Sequence, residues 1–251
     1  MFSELILDVK DIAHLARDSP EEFALLRRKG FGASDSSVIL GVNHWNDLQT
    51  LIAQKNTPYV TLEELEVSKK PQVRMGSELE PLILEKAESI MCAPIEKPTD
   101  QYRFKEYPWL TVNYDGVIGF DKEQDFMICE AKCVSSFARK YWDWTKGART
   151  AEERINLPVA PILNGNNLKD TIQKCSDAIG IPNYYYTQVQ QQLIGSKKAL
   201  AYLCALDVNN WEVVVFPILE NEAVQQALVV LSAEAAESCT EIPTSGLLDK
   251  E

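Results

Sequence analysis

The sequence predicts a mixed α/β (α+β) protein, built from amphipathic helices around two pairs of short strands. Two apolar runs at 117–120 and 126–133 are separated by a wholly polar five-residue linker, which is typical of a β-hairpin. A second pair of apolar runs, at 199–206 and 211–217, encloses a short polar turn. In most of the segments between these runs, apolar residues recur at the spacing of a helix.

The length and composition favour one folded domain covering residues 1–251. The chain has 251 residues and 45% hydrophobic content, which is enough for a substantial core. Its longest apolar runs are too short to span a membrane, and its first residues include acids, unlike a signal peptide. We therefore expect a cytoplasmic protein. Its six cysteines form no Cys-x-x-Cys pair, so we expect reduced, mostly buried thiols rather than a zinc ribbon or disulfides.

The net charge of −12 argues against a nucleic-acid role, but its distribution weakens that argument. Residues 207–251 hold nine acids and one base, so the preceding 206 residues carry only −4. Local basic groups occur at 27–29, 139–140 and 197–198. A basic groove on an acidic body is one interpretation of these groups, and ordinary solvated faces are the other.

The first third of the chain is predicted to be mainly helical. We expect helix through residues 1–29, with Ser19 as an N-cap and Pro20 at the first position of its second part. Residues 32–41 then predict a loop and a short helix, for which Ser34 or Asp35 could be the N-cap. Helical spacing at 45–55 is followed by an irregular, charged surface segment at 56–70.

A further helix is predicted to open at Gly76 and to run through Met91. Ser77-x-x-Glu80 fits a capping box, in which the glutamate bonds back to the serine backbone. From spacing alone, that structural role is the better interpretation of Glu80.

The hairpin carries the polar residues with the clearest chemistry. Asp115 stands at the entry to the first strand, and Glu130 and Lys132 are two residues apart on the second. Strand side chains alternate between faces, so Glu130 and Lys132 should project from the same face. Two carboxylates beside an ammonium can hold a divalent cation and stabilise charge or help to deprotonate a water.

The second half of the chain contains two less regular segments and two helices. Residues 137–144 mix aromatics with bases, which suits stacking on nucleobases, although some of these rings must belong to the core. Residues 145–182 are interpreted as an insertion with a helix near 169–179. Residues 184–195 predict a helix that ends at Gly195, with Gln188 and Gln192 on one stripe. Such a stripe is often a solvated face. An acidic C-terminal helix is expected within 220–251.

Five short motifs occur in an order that resembles a known family. They are Gly-Ala-Ser-Asp at 32–35, Gly-x-x-x-Glu-Pro at 76–81, Asp-Gly at 115–116, Glu-x-Lys at 130–132 and Gln-Val-Gln at 188–190. Each motif alone is weak, but the ordered set is much more specific. The chain resembles the YqaJ-type viral recombinase nucleases, relatives of lambda exonuclease in the PD-(D/E)XK superfamily, over roughly residues 27–206.

The resemblance implies a restriction-endonuclease-like core, with a central mixed β-sheet flanked by helices. It also implies a Mg²⁺-dependent exodeoxyribonuclease, with Mn²⁺ as a possible substitute, that uses two ions and digests one strand of linear duplex DNA from its 5′ end. The implied setting is phage or prophage recombination by single-strand annealing. An annealing protein as partner and a ring-shaped trimer are expected on the same ground.

The resemblance also assigns roles to particular residues. Asp115 and Glu130 correspond to metal-binding carboxylates, the Ala131 carbonyl to a further ligand, and Lys132 to the partner of the attacking water. Glu80 corresponds to a helix glutamate that helps to hold a second metal, which reverses the preference for the capping box.

Three further positions correspond to residues that contact DNA in the family. Ser34, with Arg27 or Arg28, matches the elements that contact a terminal 5′-phosphate, and spacing does not choose between the arginines. Gln188 matches the first glutamine of the Gln-Val-Gln helix near the scissile strand. A PD-(D/E)XK endonuclease of restriction or repair type and a catalytically silent DNA-end-binding module remain the alternatives.

Overall fold

The computed structural model describes residues 5–67, 69–119 and 126–244. Its strands are β1 (Leu5–Val9), β2 (Ile95–Glu96), β3 (Gln101–Phe104), β4 (Thr111–Val112), β5 (Gly116–Ile118), β6 (Met127–Val134), β7 (Leu200–Asp207) and β8 (Glu212–Leu219). Its helices are α1 (Ile12–Asp18), α2 (Pro20–Leu26), α3 (Ser36–Ile39), α4 (Leu48–Asn56), α5 (Leu62–Val67), α6 (Pro71–Met91), α7 (Ala151–Asn156), α8 (Leu168–Ile179), α9 (Asn183–Ser196) and α10 (Glu222–Ala236).

The centre of the molecule is a five-stranded mixed sheet in the order β2-β5-β6-β7-β8. β6 and β7 are parallel, and the other neighbours are antiparallel. The predicted hairpin is β5 and β6, and its polar linker at 121–125 lies outside the described residues. A parallel pair needs a long crossover, which here contains α7, α8 and α9. A smaller antiparallel sheet has the order β1-β3-β4. The predicted fold class, a central mixed sheet flanked by helices, is confirmed.

Two hydrophobic cores cover the two faces of the central sheet. The larger lies against α3, α8, α9 and α10 and includes Ile128, and the smaller lies against α6 and includes Cys129 and Ala131. Residues of β6 therefore alternate between the cores. Glu130 and Lys132 share the parity of Ile128, so they face the α9 side together, as strand alternation predicted.

The N-terminal third contains more strand and more helix than predicted. Residues 5–9 form β1, not helix, because they pair with β3, and a five-residue apolar run cannot by itself distinguish the two structures. Ser19 precedes α2 as expected but makes no side-chain capping bond. The segment 56–70, predicted to be irregular, contains α5. A capping box starts it, because Thr61 and Glu64 exchange side-chain to backbone hydrogen bonds of 2.8 and 3.2 Å.

The predicted capping box at Ser77 and Glu80 is wrong. α6 begins at Pro71, so Ser77 lies inside the helix and its hydroxyl donates to the Val73 carbonyl at 3.3 Å. Gly76 therefore does not start the helix. Because α6 begins at Pro71, Glu80 lies well past the first turn and has no capping role.

The segment 145–182 contains the predicted helix as α8. Ile172, Cys175 and Ile179 of this helix are buried in the larger core, so this part of the predicted insertion belongs to the body of the protein. All six cysteines are free, and four of them are buried. None of the helices in the described ranges is long and apolar enough to cross a bilayer.

Candidate active site

A cleft of about 220 Å³ opens beside the start of β5 and the middle of β6. It is lined by Phe23, Arg27, Gly32, Ala33, Ser34, Gln101, Thr111, Asn113, Asp115, Glu130, Lys132 and Gln188. Six of these residues were predicted from sequence, and they come from segments separated by as many as 161 positions. The fold therefore gathers the hairpin carboxylates, the lysine, the glutamine and the candidate phosphate contacts around one space.

Glu130 lies at the buried end of the cleft, with only 3% of its surface exposed. One carboxylate oxygen accepts hydrogen bonds from Lys132 Nζ and Gln188 Nε2. The other accepts from Gln192 Nε2 at 2.5 Å. Charge-assisted bonds of this kind fix a carboxylate in one orientation. Gln192 was noticed in the sequence as part of a stripe but not as a site residue.

Asp115 is fixed against the neighbouring strand. Its Oδ2 accepts the backbone N–H of Ala131 at 2.9 Å. In an extended strand, the N–H and C=O of one residue point to the same side. The Ala131 carbonyl therefore points to the β5 side of β6, on which Asp115 lies, and this direction is compatible with its predicted role as a ligand.

The surroundings of Glu130 and Lys132 shift the pKa values of both groups. Burial and then the Asp115 charge raise the pKa of Glu130 to about 7, although Lys132 and Gln192 act in the opposite direction. Burial lowers the pKa of Lys132, but Glu130 and Asp115 outweigh it and the net direction is upward. Lys132 therefore stays charged at neutral pH. The cleft presents two carboxylates, Asp115 and Glu130, and carboxylate oxygens are ligands that divalent cations such as Mg²⁺ prefer.

Glu80 lies beside this group but does not line the cleft. Its Oε1 is 2.5 Å from Lys97 Nζ in an ion pair. Burial, followed by the charge of Asp115, raises the pKa of Glu80. Within the described residues, no three Asp, Glu, His or Cys side chains lie close enough together to hold a metal ion as they stand. Glu80 would have to leave Lys97, a residue that the sequence did not single out, in order to join the other carboxylates.

The structure distinguishes the two neighbouring arginines. Arg27 Nη2 donates to Ser34 Oγ at 2.9 Å in the cleft, and about half of its side chain is exposed. Arg28 is buried, makes a bidentate bond to Glu64 at 2.8 and 2.9 Å, and also donates to backbone carbonyls. The Arg28 guanidinium is thus fully engaged away from the cleft, and of the two predicted arginines only Arg27 lines it.

A buried ion pair supports the loop that carries Ser34. Lys55 Nζ donates to Asp35 Oδ2 at 2.9 Å and to the carbonyls of Arg27 and Gly30 at 2.7 Å. Asp35 also accepts the Gly32 N–H at 3.1 Å. Asp35 therefore closes this loop, and it makes no side-chain cap to α3.

Gln190, Gln191 and Gln192 of α9 are buried, and Gln188 is partly buried against Glu130, so the solvated-face interpretation of this helix is wrong. Gln191 Nε2 donates to the carbonyls of Phe31 and Thr111, both at 2.9 Å, and its Oε1 accepts from Ser36 Oγ at 2.8 Å. Gln191 thereby ties α9 to the Ser34 loop and to β4. No sequence signal distinguished this amide from an exposed one, because its partners lie 80 or more positions away.

The family model described as the YqaJ-like viral recombinase domain matches residues 22–199. The chain belongs to this family. This YqaJ-like chain is 31% identical over 125 residues to the uncharacterized protein YqaJ of Bacillus subtilis (strain 168). That alignment covers 50% of the chain and 37% of the relative, so the chain spans well under half of that protein.

The YqaJ-like chain also has the fold of a solved nuclease. It is similar to the alkaline exonuclease LHK-Exo from Laribacter hongkongensis, with a TM-score of 0.52 and 14% sequence identity. The similarity covers 86% of this chain and 93% of LHK-Exo. At this level of identity the likeness establishes a shared fold, and it confirms the restriction-endonuclease-like core expected from the sequence.

Proposed function

We propose that this chain is a metal-dependent exodeoxyribonuclease that digests one strand of linear duplex DNA from its 5′ end, in recombination of phage or prophage type by single-strand annealing. The observation that carries the proposal is the convergence of Asp115, Glu130 and Lys132 with Arg27 and Ser34 around one cleft. Membership of the YqaJ-like viral recombinase family supports nuclease chemistry for that cleft.

Oxygen ligands in the cleft suit Mg²⁺, with Mn²⁺ as a substitute. Asp115, Glu130 and the Ala131 carbonyl would hold one ion, and Glu80, once released from Lys97, would help to hold a second. Bound there, such ions would supply an activated water and neutralise the charge of the leaving oxygen. The raised pKa values of Glu130 and Glu80 support this assignment, because burial and the nearby Asp115 charge raise both, even though each carboxylate is paired with a lysine.

The other side chains would position the DNA and the water. Lys132 stays protonated, so it would hold the attacking water and the scissile phosphate by charge and hydrogen bonding. Gln188 holds Glu130 in place and lines the cleft, where it would lie near the scissile strand. The half-exposed guanidinium of Arg27 and the hydroxyl of Ser34 offer donors to a terminal 5′-phosphate.

Digestion of defined DNA molecules tests the proposal. The purified chain should degrade linear duplex DNA with Mg²⁺, stop with EDTA, and lose at least a hundredfold in rate in Asp115→Ala or Lys132→Ala, which is about the contribution of one catalytic group. Undiminished digestion by either variant contradicts the site. Nicking of covalently closed circles would instead indicate an endonuclease, and DNA-end binding without any hydrolysis would indicate a silent binding module.

A further inference from the structure

Four aromatic side chains outside the cleft form a surface that we call the aromatic row: Phe137, Tyr141, Tyr184 and Trp45. Phe137, Tyr141 and Trp45 are 73%, 54% and 72% exposed, respectively. By contrast, Trp142 and Trp144 of the same sequence motif are buried in the core. Clustered exposed rings of this size mark an interaction surface.

Ring and cation contacts hold the aromatic row together. The ring centroids of Phe137 and Tyr141 are 6.4 Å apart, and Lys140 Nζ lies 4.4 and 5.0 Å from them. Trp45 and Tyr184 are 5.0 Å apart. Tyr185 links the two halves of the row, because its ring packs against Tyr184 and also against Trp142, the residue after Tyr141, with centroids 5.5 Å apart.

The aromatic row begins one ring away from the cleft. Tyr184 packs edge-on against Tyr185 with centroids 4.4 Å apart. The Lys132 ammonium lies 5.3 Å from the centre of the Tyr185 ring. A DNA strand that occupies the cleft at Lys132 would therefore meet the aromatic row as its next contact.

The charge around the aromatic row suits a nucleic acid. From residue 132 to residue 142 the chain has three bases and no acid, on a protein whose net charge is −12. Arg139 is paired with Asp207, whereas Lys140 stands over the two exposed rings. Rings that alternate with cations are the means by which proteins bind single strands without reading their sequence. A duplex keeps its base faces stacked internally, so only an unpaired strand can use them.

We infer that the aromatic row binds unpaired DNA at the mouth of the cleft, by stacking bases on Phe137, Tyr141 and Trp45 while Lys140 contacts the phosphates. The location of the DNA strand rests on the proposed nuclease function. Stacking itself does not depend on hydrolysis, so it can be measured separately.

Binding of a fluorescein-labelled dT20 oligonucleotide to the full chain in EDTA, followed by fluorescence anisotropy, tests the inference. The double variant Phe137→Ala/Tyr141→Ala should raise the Kd about tenfold or more. Phe137→Trp/Tyr141→Phe, which keeps both rings, should retain the wild-type Kd. Tyr59→Ala removes a tyrosine side chain that is 64% exposed between α4 and α5, and serves as the matched control.

An unchanged Kd in the alanine double variant, with wild-type thermal unfolding, would overturn the inference. Duplex digestion is measured in parallel. Duplex digestion together with dT20 binding that does not depend on the rings would contradict the role of the aromatic row. Ring-dependent dT20 binding without duplex digestion would contradict the proposed nuclease function, and the role of the aromatic row would stand.

Discussion

Arg27 and Arg28 are adjacent in the sequence but have opposite surroundings. Arg27 is half-exposed beside Ser34, whereas Arg28 is buried in a bidentate pair with Glu64. Arg27→Ala should therefore reduce the preference for 5′-phosphorylated over 5′-hydroxyl duplexes, by about tenfold for one lost charge-assisted contact. Its unfolding free energy should stay within about 0.5 kcal/mol of the wild-type value.

The matched variant Arg28→Ala should behave in the opposite way. It leaves the partly buried Glu64 carboxylate without its cation, at a cost of about 3 kcal/mol in unfolding free energy. The phosphate preference of the folded enzyme should be unchanged. Initial rates on the two duplexes and urea unfolding measure both effects, and a loss of phosphate preference in Arg28→Ala alone would reverse the assignment.

Glu64 makes the stability of the protein depend on pH. Burial alone would raise the pKa of Glu64, but hydrogen bonds from Gln54, Thr61 and Arg28 outweigh it and lower the pKa from 4.5 to about 2. A folded-state pKa below the unfolded value means that the stabilisation is complete above pH 4.5 and is lost as the pH falls towards 2.

Comparison of Glu64→Gln with the wild type at two pH values measures this contribution. At pH 7 the variant should be less stable by about 2–3 kcal/mol. The difference should shrink at pH 3, because Glu64 of the unfolded chain is then protonated while the folded carboxyl, with its pKa of about 2, stays ionised. Glu63→Gln, at the exposed neighbouring position, is the control. A difference between Glu64→Gln and the wild type that is equal at both pH values would contradict the ionic origin of the stabilisation.

At the scale of the helices, two glycines inside α6 and α9 have opposite surroundings. A Cβ at Gly76 of α6 would meet nothing within 4 Å. A Cβ at Gly195 of α9 would lie 2.9 Å from Phe104 Cζ and 3.0 Å from the Tyr114 hydroxyl. Gly195 is therefore required for the close approach of α9 to β3, and it does not end the helix as predicted. The left-handed residue that ends α9 is Lys197, with φ 51°.

Alanine substitutions at the two glycines should change stability in opposite directions. Gly76→Ala should stabilise the protein by up to about 1 kcal/mol, because alanine is the better helix former. Gly195→Ala should destabilise it by about 1–3 kcal/mol, because the new methyl overpacks the α9 interface. Urea unfolding with a common m-value measures both, and stabilisation by Gly195→Ala would show that α9 can move away from β3 at little cost.

At the scale of the whole molecule, we expect an assembly of three chains. Light scattering on the eluting peak of a gel filtration should give three times the chain mass of 28.3 kDa. This expectation comes from the family resemblance. A ring would let DNA thread past the cleft without release. A mass of one chain at micromolar concentration, together with full exonuclease activity, would contradict the trimer.

Local signals in the sequence predicted the strands that contribute Asp115, Glu130 and Lys132 to the cleft. Strand alternation placed Glu130 beside Lys132, and the polar linker between two apolar runs indicated the β5–β6 hairpin. The ordered motifs also indicated the family and its fold. These signals succeed because periodicity and turn composition depend on residues that are neighbours along the chain.

The remaining features depend on residues that meet only when the chain folds. Partners distant in sequence determine the pairing of β1 with β3 and the burial of Gln191 and Gln192. They also determine why Arg28 is buried while Arg27 is half-exposed. The free-energy cost of burying an amide or a guanidinium depends on its hydrogen-bond partners in the folded protein. The residues next to it in the sequence do not reveal those partners. The sequence by itself thus determined the β5–β6 hairpin and its acidic residues, Asp115 and Glu130. The tertiary structure decided which groups hold these carboxylates in position, such as the amide of Gln192.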